Sequence, residues 1–342
     1  MFDLNPKRAE KELEGIILIL DTHIADAQSV LLYLVCKNVQ KIIRKENSVS
    51  TESKLNERNY GISLLKILAT IIVCLLHHSR LYSNGIFGGG NVATEMFFMI
   101  AGFYLARKAE REHANPLEAA RRETITRLKR FMPYVLLAFI IYYPLARIYN
   151  IDNLTYITEN EVLTQVFYLC GLGMLGYYAD GTYPIGNMWY IYCLLIAVLI
   201  IYPLLVKTMK KTLDVGIYTL LAAFILYGFL FQRYRMVQCD AVVSIDNVIF
   251  AYPCIIRAVA GILLGVFIYS VSARTAGTKK LTLLGKGVMW GIELGMLAFE
   301  TGYIMQKKAF SKWDFISIIL FMLILLIAFC YKIEIKSPVL KK

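Results

Sequence analysis

One apolar run of the chain holds two groups with complementary chemistry, Lys66 and His77. They are eleven positions apart. At about 100° per residue, that spacing leaves them within about 20° of one helical face and about 16 Å apart along the axis. A cation and an imidazole on one stripe suit a substrate that threads through a layer. The cation would hold an anionic part, and the imidazole would take a proton from a hydroxyl. A plainer picture also fits, with Lys66 reaching to the surface and His77 packed at a helix end. His78 is turned a further ~100° off the stripe. In the next apolar run Glu95 is a carboxylate that needs a partner. His77 or His78 would serve, and such a pair would fix the imidazole tautomer; Arg80 at the edge is the alternative. Arg257 sits in a later run beside Pro253 and needs an internal anion, for which Glu293 and Glu300 are available. Those two are seven apart, nearly on one helical face. A structural ion pair and a role in a site fit them equally. His23 and His113 read as surface residues, and Gly88–Gly90 lacks the Lys-Ser/Thr of a phosphate loop and reads as a turn.

The elements that must position these groups are membrane spans. Of 342 residues, 58% are hydrophobic and only 18% charged, and the mean hydropathy is +0.55. Soluble domains carry more charge and less apolar content. Spans are expected near 60–80, 91–106, 131–149, 188–206, 215–231, 248–271, 288–306 and 314–331, with a weaker, glycine-interrupted run at 162–178. The fold class is therefore all-α, a polytopic membrane helix bundle of 8 to 10 transmembrane helices. Residues 1–57 differ. Their mixed charges, with Asp21, His23 and Asp26 interrupting the apolar stretch, suit a cytoplasmic or interfacial helical extension and linker, and no cleavable leader is expected. The transmembrane domain is expected over 58–335, followed by a short tail at 336–342. The seven cysteines are scattered and form no metal or disulfide pattern, so no metal is expected.

The net charge of +12 is concentrated in short connections. That is how membrane topology is encoded, so nucleic acid is not an expected partner. The 107–130 connection holds Arg107, Lys108, Arg111, Arg121, Arg122, Arg127, Lys129 and Arg130, which places it in the cytoplasm. The 150–187 connection has no lysine or arginine and is expected outside. Lys207, Lys210 and Lys211, and then Arg274, Lys279, Lys280 and Lys286, return the chain inside. Arg233 with Arg235, and Lys307 with Lys308, dissent. Both termini are expected in the cytoplasm of a multi-pass plasma-membrane protein, with membrane lipids as partners.

With these residues placed, the chain resembles the integral-membrane acyltransferase family 3, the O-acyltransferases of bacterial surface glycans. That family opens with an arginine, ten residues, then a histidine. Lys66 stands at the arginine and His77 at the histidine. The second span, Thr94-Glu95-Met96-Phe97-Phe98-Met99-Ile100-Ala101-Gly102-Phe103-Tyr104-Leu105, follows the family's Asp/Glu-Leu-Phe-Phe-x-Ile-Ser-Gly-Phe-Leu closely. Arg127-Leu128-Lys129-Arg130-Phe131-Met132-Pro133-Tyr134 is similar to its Arg-x-Tyr-Pro run with one insertion. Asn187-Met188-Trp189-Tyr190-Ile191-Tyr192 and Ala298-Phe299-Glu300 resemble later motifs. The resemblance covers 58 to about 331. Lysine for arginine loses the planar fork, leaving a point-charge contact.

The resemblance implies transfer of an acyl group, usually acetyl from acetyl-CoA, to a hydroxyl of a cell-surface or lipid-linked glycan. His77 would be the general base and Glu95 its catalytic partner. Lys66, Arg127 and Arg130 would hold the phosphates of acyl-CoA at the cytoplasmic face. Trp189, Tyr183 and Glu300 would meet the acceptor, although aromatics there also suit an interfacial belt. The alternative is a multi-span transporter, or an uptake or sensor domain, without acyl-transfer chemistry.

Overall fold

The structure, a computed structural model, describes residues 59–77, 88–149, 189–209, 215–234, 253–275, 282–306 and 313–331. Eight α-helices run through them: α1 Tyr60–His77, α2 Ala93–Glu110, α3 Pro116–Tyr149, α4 Trp189–Thr208, α5 Val215–Tyr234, α6 Pro253–Thr275, α7 Leu283–Gln306 and α8 Asp314–Cys330. A turn of 3-10 helix, Gly90–Val92, leads into α2. One helix answers each of the eight expected spans. The extension at 1–57, the run at 162–178, Arg80 and Tyr183 lie outside the described residues. Tyr190–Thr208, Val215–Gln232 and Pro253–Thr275 are long and apolar enough to cross a membrane, and Gly61–Leu76 and Asp314–Cys330 are shorter apolar helices.

The third helix differs from expectation. The span at 131–149 and most of the basic connection before it form one helix of 34 residues. Pro116 takes its first position, where a missing N–H costs nothing, and the Asn115 side chain accepts the Leu117 N–H at 3.0 Å. Only a short stretch, 111–115, separates α2 from α3.

Residues Asn59–Val135 and Ile157–Ile333 form one compact unit. The end of α3 from Leu136 belongs to a second unit, and all that follows concerns the first. At its centre is α6, packed by α2, α4, α5 and α8. Such a helix must be apolar all round, and α6 is buried over most of its length. Between α2 and α6 the backbones touch. A Cβ on Gly265 would lie 2.0 Å from the Met99 carbonyl oxygen, and one on Gly102 would lie 2.1 Å from that of Ile262. Without a hydrophobic drive between helices in lipid, close backbone approach through small residues is what joins them.

Contacts fix the helix directions. Phe103 of α2 stacks on Phe329 of α8 at 3.5 Å between centroids, and Tyr269 of α6 donates to Glu110 of α2. The Asn59 amide, at the start of α1, donates to the Ala328 carbonyl at 2.7 Å. One end of the unit thus gathers the start of α1 and the ends of α2, α6 and α8, with Arg107, Lys108 and Arg274 in their last turns. The other end gathers the close of α1, the 3-10 turn and the beginnings of α2, α6 and α8.

Candidate active site

At that second end lies a buried polar cluster. Glu95 is in the first turn of α2, Arg257 in the second turn of α6 and Tyr227 on α5. All three are 0% exposed. Arg257 Nε donates to Glu95 Oε1, while its Nη2 donates to the Thr94 hydroxyl and, at 2.9 Å, to the Asn91 carbonyl. Tyr227 donates to Glu95 Oε2 at 2.5 Å. The Thr94 hydroxyl in turn donates to the Asn91 carbonyl at 2.7 Å. Gly261, one turn beyond Arg257, makes room: a Cβ there would meet Phe98 Cβ at 2.6 Å and Glu95 Oε2 at 3.2 Å. A charge withdrawn from water persists only when paired and hydrogen-bonded, and a guanidinium fork fits this task better than an ammonium.

This arrangement corrects two expected pairings. Among the described residues the acceptors on Glu95 are met by Arg257 and Tyr227, while the expected alternatives His78 and Arg80 lie outside the described residues. Arg257 finds its anion on α2 instead of at Glu293 or Glu300 on α7, because α6 packs directly on α2 while its principal packing does not include α7. Glu293 and Glu300 are nonetheless both buried.

Lys66 and its neighbours sit towards the other end. The Lys66 ammonium lies 5.3 Å from the centroid of the Tyr104 ring on α2, a cation–π contact. The 3-10 turn meets α1 near its close: a Cβ on Gly90 would lie 2.8 Å from Leu76 Cβ and 3.0 Å from the Ile72 carbonyl oxygen. Helices α1 and α2 are therefore antiparallel. Lys66 stands one turn from the basic end of α2, and His77, the last residue of α1, stands beside the turn that begins it. Helices α7 and α8 touch the same turn. They bring Glu300 and the buried Asp314, whose carboxylate accepts from Tyr303 at 3.5 Å.

On the basic side, ion pairs tie α3 to the end of α2 and to the connection between them. Glu123 lies between Lys108 and Arg127, the latter at 2.8 Å, and Glu112 takes Arg122 at 2.6 Å. Burial raises the Glu123 pKa, and Lys108 and Arg127 outweigh it, leaving the carboxyl below its usual range. Hydrogen bonding from Arg122 likewise lowers that of Glu112. Arg127, expected to meet a phosphate, is thus engaged by a carboxylate, while Arg121, Lys129 and Arg130 are exposed. Trp189 opens α4. Tyr190, next to it, packs on Phe98 and Phe97 of α2 at 4.5 and 6.2 Å between centroids.

Tyr227, Asn91, Gly261 and Gly265 escaped the sequence reading, and Thr94 and Gly102 entered it only as part of a motif. Gly261-x-x-x-Gly265, within one turn of an intramembrane arginine, was a signal for close helix contact. Asn91 contributes only its backbone carbonyl, which no sequence pattern marks.

The described helices form a helical membrane bundle with a buried arginine–carboxylate pair at one end and with Lys66 and His77 towards opposite ends of α1. A family model described as an acyltransferase domain matches residues 59–342, and the chain belongs to acyltransferase family 3. No curated protein and no solved structure is similar enough to match. The chain is a membrane acyltransferase.

Proposed function

We propose that the enzyme moves an acyl group, acetyl being the simplest, from acyl-CoA at the cytoplasmic side to a hydroxyl of a surface or lipid-linked glycan. The observation that supports this reading is the antiparallel pairing of α1 and α2. It keeps Lys66 beside Tyr104 near the basic end and His77 at the opposite end, by the 3-10 turn. The basic end is cytoplasmic in this reading. Lys66 and exposed Arg130, with Arg127 once released from Glu123, offer charge to the donor's phosphates. The thioester arm reaches along the stripe. His77 takes the proton of the acceptor hydroxyl, whose oxygen attacks the thioester carbonyl carbon. The carbon–sulfur bond breaks, and CoA leaves as the thiol with the proton restored from the imidazole. Glu300, Trp189 and Tyr183 belong to the acceptor's side. Glu95 serves here by holding Arg257, and so contributes to placement instead of proton transfer.

The test is transfer of label from acetyl-CoA in membranes containing the protein, with and without a supplied glycan acceptor. Label appearing in glycan supports the reading. Transport of a free solute with no transfer from acyl-CoA would replace it with the transporter alternative.

A further inference from the structure

We propose that Arg257 is a positioning residue for acyl transfer: it clamps the turn before α2 and, through that turn, seats the end of α1 that carries His77. The kinetic part rests on the function proposed above, while the structural part stands alone.

Three acceptors held by Arg257 belong to one short segment: the Asn91 carbonyl, the Thr94 hydroxyl and the Glu95 carboxylate. That segment is the 3-10 turn and the first turn of α2. Its own bonds are local, the Val92 N–H to the Gly89 carbonyl at 3.1 Å and the Thr94 hydroxyl to the Asn91 carbonyl at 2.7 Å, and tie it to no other helix. Its preceding residue Gly89 and its end residue Val92 lack a capping side-chain hydrogen bond. The segment also carries the contact with α1, at Ile72 and Leu76, and Leu76 directly precedes His77. The path is therefore contiguous: guanidinium, turn, Gly90, the last turn of α1. Helix α7, with Glu300, and α8, with Asp314, bear on the same turn.

Arginine suits this duty because its planar fork presents several donors in fixed directions, whereas lysine presents one mobile centre. Tyr227 completes the clamp by holding the second carboxylate oxygen, which keeps Glu95 from rotating away. Lys66 lies towards the other end of α1, beyond this path. A loosened clamp should then spoil placement of the imidazole and leave donor binding intact.

Two readouts test the proposal on the full chain in lipid nanodiscs. The first is amide hydrogen exchange in Arg257→Gln. Peptides covering 72–77 and 88–95 should exchange at least tenfold faster, while the Asn59–Ala328 end keeps its wild-type rates. Uniform acceleration across all helices, or unchanged exchange at 72–77, overturns the clamp. The second is kinetic. Arg257→Gln should lower kcat about a hundredfold with the acyl-CoA KM within twofold, and Arg257→Lys should recover part of kcat. A raised KM with unaltered kcat, or equal loss in both variants, overturns it. If Arg257→Gln does not accumulate, Tyr227→Phe removes one bond of the clamp and Thr94→Val removes two, those of its hydroxyl with Arg257 and with the Asn91 carbonyl; each should show the same pattern at several-fold size, and wild-type behaviour in both would also overturn it. Should the wild type transfer no acyl group, the functional reading fails, and the exchange measurement still decides the clamp.

Discussion

Gly265 and Gly102 meet backbone to backbone: a Cβ on Gly265 would stand 2.8 Å from the Gly102 Cα and 2.7 Å from the Phe103 nitrogen. The intimacy of α2 and α6 is what allows a side chain from each, Glu95 and Arg257, to meet within the bundle. Gly265→Ala should therefore force the two helices apart, at a cost of roughly 1–3 kcal/mol typical of overpacking. Gly228→Ala, where an added Cβ meets nothing within 4 Å, should be neutral or slightly stabilising. Thermal unfolding in detergent checks both, and equal melting temperatures for the two variants would contradict the packing argument.

The arginine–carboxylate pair predicts a particular non-additivity. Glu95→Gln or Arg257→Met alone leaves a buried charge with part of its partners, at a cost of roughly 3–5 kcal/mol. The double variant removes both charges and should be less destabilised than the sum of the two. A double-mutant cycle on unfolding free energy measures the coupling; a value near zero would show that the pair contributes nothing as a pair.

For the reaction itself, His77→Ala should reduce transfer by roughly 10²–10⁴-fold, and His78→Ala should keep most of it. Lys66→Ala should raise the acyl-CoA requirement, and Lys66→Arg should restore it, since a fork holds phosphate at least as well as a point charge. Matched membranes with protein levels checked by blot give the comparison. An active His77→Ala beside a dead His78→Ala would assign the base to the wrong histidine.

Ion pairing of Glu123 with Lys108 and Arg127 predicts a pH dependence. The folded-state pKa is lower than the ordinary 4.5. The group therefore contributes stability that is full above that ordinary value and disappears as pH falls through the depressed one. Glu123→Gln should be less stable than wild type at neutral pH, and the two should converge in acid. Melting curves across that range read the difference, and parallel curves at every pH would remove Glu123 from the account.

The helices were legible because apolar runs of about 20 residues leave little choice of structure. So was the importance of Glu95 and Arg257, since an ionisable residue inside such a run demands a partner. Their mutual pairing was not legible. Sequence places residues along a helix but does not say which helices touch, and α6 reaches α2 across a separation of 162 positions between the two side chains. The basic stretch before the third span misled for a related reason. Charge marks which side of a membrane a segment lies on, but not whether it is coiled, and Pro116 with Asn115 starts a helix there that runs unbroken to Tyr149.

The bond from Asn59 to Ala328 joins groups 269 positions apart. During synthesis the first helix is made long before its partner exists. Its opening residue must wait, with an amide donor facing whatever surrounds it, until the eighth helix has been delivered. The start of α1 is thus finished by a much later helix, and a chain cut short before Ala328 would leave it undone.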